Sequence, residues 1–289
     1  MQIVTDSGTD LRLPAGEEAD LNIYTVPLTV TLDGVSYREG VDIEHKDFYP
    51  LLDASGNLPT TSQPSAGQFA EVYRDLAKSD PEILSIHMTS GLSGTFNAAV
   101  EGAKLVPEAN VTHIDTKTLT AAAGWQVYAA ARALKAGWAK DQILGLVERI
   151  GEATDCMYSL AELKYLIHGG RISHMKGVIA SVLKLKPLIG VEKVNGTYIQ
   201  LGQVRTFKRA LQGLANLITD KHAEGSKLMV QVLHSNNPEG AEMLCDMVDN
   251  LFDCTWLPMG PMSLVLGAHT GPSMVGVGFA PMEAFAEIP

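Results

Sequence analysis

The first 150 residues switch repeatedly between two hydrophobic periods, and no other feature restricts the fold as much. Ile3-Val4-Thr5 reads as a short buried strand that runs into the polar loop Asp6-Ser7-Gly8-Thr9-Asp10. Residues 23–38 form a strand-rich excursion in which Val26, Leu28, Val30 and Leu32 alternate. Ser65 and Gln68 have the spacing of a capping box, which satisfies free amides at a helix start. Phe69, Val72, Tyr73 and Leu76 then repeat at i, i+3, i+4 and i+7, the stripe of an amphipathic helix. The pattern continues with a strand over 83–86, a helix over 95–104, a strand over 111–115 and helices near 118–136 and 141–150. Strands alternating with helices favour a parallel sheet covered by helices. Ligands of such sheets sit beyond the carboxyl ends of the strands, where these polar loops fall.

The second half changes character. A helix from about Glu162 meets a stop signal at Gly169-Gly170. Residues 188–203 predict a hairpin with Asn195-Gly196 as a type I′ turn. Helices near 206–221 and 239–251 alternate with strands at 228–233 and 254–258. The stretch Leu264 to Phe279 is rich in small residues and reads as strand-like around His269-Thr270-Gly271-Pro272. This change places a domain boundary near residue 155, giving an N-terminal domain over 1–155 and a C-terminal domain over 156–289.

Charge and cysteine usage exclude several functions. The 289 residues carry 22 Lys and Arg against 33 Asp and Glu, a net charge of −11. An acidic total argues against a surface built to hold nucleic acid. Three cysteines, Cys156, Cys245 and Cys254, form no CxxC and imply neither a disulfide framework nor a zinc site. The amino terminus lacks the basic and apolar regions of a signal peptide, and no apolar run is long enough to span a membrane. The expectation is a cytoplasmic chain with no transmembrane segment. Basic residues concentrate between Lys164 and Arg209, where nine Lys or Arg (164, 171, 176, 184, 186, 193, 205, 208 and 209) face one acid, Glu192. Such an island can steer an anionic ligand or an acidic partner.

Familiar catalytic motifs are missing. There is no GxxxxGK[ST], Gly276-Val277-Gly278 lacks the third glycine of a dinucleotide fingerprint, and no histidine pair has metal-ligand spacing. Gly91-Leu92-Ser93-Gly94-Thr95 departs from the nucleophile elbow GxSxG. Three polar clusters remain: Thr60-Thr61-Ser62-Gln63-Pro64-Ser65, Thr89-Ser90-Gly91-Leu92-Ser93-Gly94-Thr95 and His269-Thr270-Gly271-Pro272. The first two precede helices and offer hydroxyls and free amides at a positive helix end. None of the three contains Asp or Glu, so they suit a carboxylate or phosphate and suit a cation poorly.

Taken together the clusters resemble the DegV family, the fatty-acid-binding subunits of bacterial fatty acid kinase. The stretches that carry the resemblance are Ile3-Val4-Thr5-Asp6-Ser7, Thr60 to Ser65, Ser90 to Thr95, Ile114-Asp115-Thr116, Gly169-Gly170-Arg171-Ile172-Ser173, Leu185-Lys186-Pro187-Leu188-Ile189, Val204-Arg205 with Lys208-Arg209-Ala210, and His269 to Pro272. They occur in the family's order over nearly the whole chain. The resemblance implies two α/β domains, an N-terminal parallel-sheet α/β/α domain and a C-terminal two-layer domain with a mixed sheet, with a fatty acid between them.

It further implies that Thr61, Ser93 with the adjacent Gly94, and His269 meet the lipid carboxylate. Arg171 and Arg205 would lie near the headgroup opening, where the kinase catalytic subunit docks. The implied partners are a long-chain fatty acid and that kinase subunit. No metal, cofactor or nucleic acid is expected, and transient contact with a membrane surface is allowed. The chain would bury the tail and present the carboxylate for acyl phosphate formation, without catalysing the transfer itself. The alternative is a serine-dependent acyl hydrolase with Ser93 as nucleophile and His269 as base. His87, in the strand before the second cluster, departs from the small or apolar residue usual in the family and reads as a histidine satisfied within the fold.

Overall fold

The computed structural model describes residues 1–12, 17, 21–174 and 185–289. Period-two alternation builds the first sheet from β1 (Gln2–Asp6), β2 (Ile23–Val26), β6 (Glu82–His87) and β7 (Asn110–Asp115), in the order β2-β1-β6-β7 with every pairing parallel. Neighbouring residues of one strand feed opposite faces. Val4 and Ile83 pack under α2 (Ala66–Ala77) and α3 (Thr95–Ala103), whereas Ile3, Leu84 and Ile86 pack under α4 (Thr120–Lys135) and α5 (Lys140–Ala153). The capping box that opens α2 is present: Ser65 Oγ accepts from Gln68 N at 3.2 Å, and Gln68 Oε1 accepts from Ser65 N at 2.8 Å.

The excursion over 23–38 divides between two sheets. Only β2 joins the parallel sheet. β3 (Thr29–Leu32), β4 (Val35–Arg38) and β5 (Thr60–Ser62) form a separate antiparallel sheet in the order β4-β3-β5, and α1 (His45–Ser55) lies between β4 and β5 in sequence. The alternating Leu28, Val30 and Leu32 are all buried on its inner side.

After Thr154 the chain enters the second sheet at β8 (Asp155–Ser159). The remaining elements are α6 (Lys164–His168), β9 (Lys186–Val191), β10 (Tyr198–Val204), α7 (Phe207–Thr219), β11 (Lys227–His234), α8 (Pro238–Asp249), β12 (Asp253–Trp256), β13 (Gly260–Pro261), α9 (Leu264–Thr270) and β14 (Val275–Pro281). The order β10-β9-β8-β14-β11-β12, with β13 also on β11, is mixed: β11 pairs parallel with β12 and β13 and antiparallel with β14. α7 and α8 cover one face through Leu211, Leu214, Ile218 and Leu244 against Val230, Val277 and Phe279. The other face turns Tyr158, Ile189 and Leu233 toward the first lobe. There they join Leu28, Val30, Met88 and Leu92 in one core shared by both lobes.

Two sequence expectations are corrected. His269 lies on a helix, α9, and the strand begins only at Val275. The expected type I′ turn is also absent, because Gly196 takes a positive φ of 67° while Asn195 does not. A longer loop forms instead around Glu192, whose carboxylate accepts from the amides of Val194 and Asn195 at 2.8 and 2.9 Å.

Candidate functional site

The small antiparallel sheet of the first lobe packs against α9 of the second. That contact brings Thr61, on β5, to His269, near the end of α9, with Oγ1 and Nε2 2.7 Å apart. The two residues are separated by 208 positions in the chain. Both line a cavity of about 220 Å³ with Leu28, Ser62, Gln63, Met88, Leu92, Ser93, Arg171, Tyr198, Val265 and Leu266. No Asp or Glu is among these lining residues.

Ser93 reaches the cavity from the loop after β6, where its Oγ is 2.8 Å from Thr95 Oγ1 and accepts from Thr95 N at 3.3 Å. Gly94 is not part of the lining; the Gln63 side-chain amide lies against it so closely that a Cβ there would overlap it. Gln63 lines the cavity beside Thr61 and Ser93.

Arg171 follows α6 and is half-buried. Its Nε donates to Leu92 O across the lobe boundary at 3.2 Å, and its Nη1 donates to Gly169 O at 2.6 Å. It is the one charged side chain among the described residues of the lining. Arg205 is not there. It is exposed, between β10 and α7, with Lys208 and Arg209 close by at the start of α7. Two members of the basic island, Lys176 and Lys184, lie outside the described residues.

His269 is held neutral. Burial, with the Arg171 guanidinium and His168 adding, brings its pKa down to about 4. Its Nδ1 is buried with no hydrogen-bond partner among the described residues. Gly169 explains how the ring fits, since a Cβ on that residue would overlap Nδ1. The first glycine of the expected stop signal therefore makes room for the imidazole in an ordinary helical conformation, and Gly170 alone takes the left-handed turn, at φ 74°.

Behind the polar mouth lies a narrow apolar cavity of about 30 Å³, lined among others by Met157, Tyr158, Met262 and Met274 with the backbone of Gly276 and Gly278. Tyr198 and Leu266 line both spaces, so the polar cavity and the apolar one share a wall. Cys156, a further wall residue, has its thiol pushed up to about 11 by burial and is a wall group rather than a nucleophile.

His87 is placed away from this cavity. Its Nδ1 is 2.9 Å from Asp6 Oδ2 and its Nε2 is 2.7 Å from Ser85 Oγ, which in turn is 2.7 Å from Tyr73 Oη. All four side chains are buried, so the serine-histidine-aspartate order here braces β1 against β6 and α2. Among the described residues no cluster of His, Cys, Asp and Glu could hold a metal ion, and no helix is long and apolar enough to cross a membrane.

A family model described as an uncharacterised DegV family protein matches residues 1–282. The chain belongs to the DegV family. A DegV domain-containing protein of Staphylococcus aureus (strain MRSA252) is 33% identical over 275 residues, covering 95% of this chain and 96% of its own length. A DegV family protein from Thermus thermophilus, whose structure is described as showing fatty acid binding, superposes with a TM-score of 0.86 at 28% identity, covering 97% of this chain and 99% of that one. DegV from Bacillus subtilis, described as a fatty acid binding protein, gives a TM-score of 0.86 at 27% identity, covering 97% and 98%. The two-domain architecture of this chain is the DegV fold.

Proposed function

We propose that this chain is a fatty-acid carrier that buries an acyl tail between its lobes and holds the carboxylate at the Thr61, Ser93 and His269 mouth. The observation that carries the reading is the Thr61–His269 pair, which closes an acid-free polar mouth directly over an apolar interior. Each buried methylene is worth about 0.8 kcal/mol, so a sixteen-carbon tail offers on the order of 10 kcal/mol before the costs of association. A buried carboxylate without partners would cancel much of that gain. The solved relatives described as fatty acid binders support the same reading.

The proton on His269 has a preferred place. A buried N–H without an acceptor is costlier than a bare ring nitrogen, so the unpartnered Nδ1 favours the tautomer protonated at Nε2. Nε2 then donates to Thr61 Oγ1, which leaves the Thr61 hydroxyl proton free to meet an anionic oxygen in the cavity. Ser93 supplies a second hydroxyl, and Arg171 a positive charge fixed by two backbone carbonyls. Each of these three groups can donate to an anionic oxygen, as a carboxylate requires.

The narrow interior suits this role because methionine side chains re-pack at small cost. A tail entering between Met157, Met262 and Met274 would widen the space by moving those side chains.

The carrier would serve a separate kinase catalytic subunit. A carboxylate oxygen attacks the γ-phosphorus of ATP on that subunit, ADP leaves, and an acyl phosphate forms. The exposed Arg205, Lys208 and Arg209 are the proposed docking surface. An acyl hydrolase is disfavoured: Ser93 Oγ pairs with Thr95 instead of His269, and an imidazole with a pKa of about 4 is a weak base.

Lipid mass spectrometry of the purified protein is the direct test. A co-purified long-chain fatty acid, lost in Thr61→Ala and Ser93→Ala, is the expected result. Recovery of no lipid, together with no thermal shift on adding palmitate, would refute the carrier.

A further inference from the structure

Two carboxylates of the first lobe grip the start of α9. Asp10 accepts from the Ser263 amide at 2.5 Å through Oδ1, and from Thr120 Oγ1 at 2.7 Å through Oδ2. Glu39 accepts from the next amide, Leu264 N, through Oε1. Its Oε2 accepts from Ser263 Oγ at 2.7 Å and from Ser7 Oγ at 2.8 Å. Both acids are buried. Ser263 and Leu264 begin the helix whose other end carries His269, about 8 Å further along at 1.5 Å per residue. Nothing in the Thr61, Ser93 and Arg171 set uses these acids.

Resting on the fatty-acid reading of the site, we propose that Asp10 and Glu39 are positioning residues for His269. They form an interlobe latch that closes when the pair carries a proton and loosens when both carboxylates ionise. Two buried carboxylates that meet the same serine repel when both are charged. The other groups that face them give limited relief. Arg12, on the loop of Asp10, is the neighbouring cation, and Asp6 adds negative charge beside Glu39. His45, on α1, lies against Met262 O with its pKa lowered by burial, and buried Tyr49, also on α1, has its pKa raised. Burial first, and the Glu39 carboxylate second, push Asp10 up to about 8, and burial likewise raises Glu39.

The sign follows from linkage. In an opened molecule both acids meet water and titrate near 4, so closing takes up a proton between about pH 4 and pH 8. Stabilisation of the closed form is complete below that window and is lost as pH rises through it. Ligand release therefore accelerates by up to about tenfold per pH unit toward pH 8 and levels off above it.

Release of the fluorescent polyene cis-parinaric acid from the full chain, followed between pH 6 and pH 9, tests this. Wild type should accelerate with pH and reach a plateau. Asp10→Asn keeps an oxygen for the Ser263 amide and suits the left-handed backbone at φ 45°; combined with Glu39→Gln it leaves no carboxylate in the latch, so the double variant should release at a rate that varies with pH only as the probe itself titrates. Glu39→Gln should shift the wild-type rise to lower pH. A wild-type rate without pH response, or a double-variant profile that tracks wild type, overturns the latch. Hydrogen-exchange protection of residues 263–270 gives a reading that needs no lipid. It should fall with pH in wild type and not in the double variant, and equal behaviour in both would overturn the latch as well. Failure of the protein to take up the probe at pH 6, with protection still falling as expected, would refute the fatty-acid reading and leave the latch supported.

Discussion

His269 pairs with Thr61, presses on Gly169 and stays uncharged through the neutral range, and each relation can be probed by one substitution. Its pKa is about 4 in the folded chain and near the ordinary 6.5 when unfolded, so the unfolded state alone takes a proton as pH falls between those values. Stability from this residue is complete above pH 6.5 and falls by on the order of 3 kcal/mol by pH 4. Melting temperatures from pH 7 down to pH 4 should decline less in His269→Gln than in wild type. Gly169→Ala drives a methyl into the imidazole and should cost about 1–3 kcal/mol, as overpacking does. Palmitate affinity, measured by calorimetry, should fall with it. The three acid-free polar clusters could be read from the sequence itself, whereas Thr61, Ser93 and His269 within them are named only through the family resemblance. Asp10 and Glu39 could not be read either way, since a lone acid in a loop carries no mark of the helix it meets more than two hundred residues later.

At the scale of elements, α9 shows why periodicity failed where it did. All seven of its residues are buried, so it has no polar face, and a segment so short and rich in Val, Leu and Gly reads equally well as a strand. α2 shows the opposite case: its capping box and four-residue apolar stripe mark both the start and the buried face of the helix in the sequence itself. Ser65→Ala should cost about 1 kcal/mol in thermal unfolding and leave fatty-acid affinity unchanged, a control for effects on the fold alone. The β9–β10 hairpin behaves differently. Its tip rests on the second polar loop, with Thr89 Oγ1 donating to Gly196 O at 3.0 Å and Gly91 facing the carbonyls of Asn195 and Gly196 without room for a Cβ. Tyr198, which lines both cavities, begins the outgoing strand. Gly91→Ala should lift the tip, increase hydrogen exchange over 192–198 and speed lipid release several-fold, with the first lobe's sheet unaffected.

For the molecule as a whole, a ligand that binds only the folded, closed form adds RT ln(1 + [L]/Kd) to stability, about 2.7 kcal/mol at a hundredfold excess over Kd. Palmitate should therefore raise the melting temperature in proportion to the logarithm of its concentration, and Arg205→Glu should leave that shift intact while slowing acyl phosphate formation by the proposed kinase subunit. The last residues of the chain matter here too. Phe285 packs edge-on against Trp125 of α4, Arg132 Nε donates to Pro289 O at 2.8 Å, and Gln231 of β11 accepts from Trp125 Nε1 at 3.0 Å. The first lobe thus shares part of its interior with residues of the second sheet and of the segment that follows it. A fragment ending near residue 155 would leave Trp125 without Phe285 and Gln231, so the first lobe alone should melt below the full chain in calorimetry.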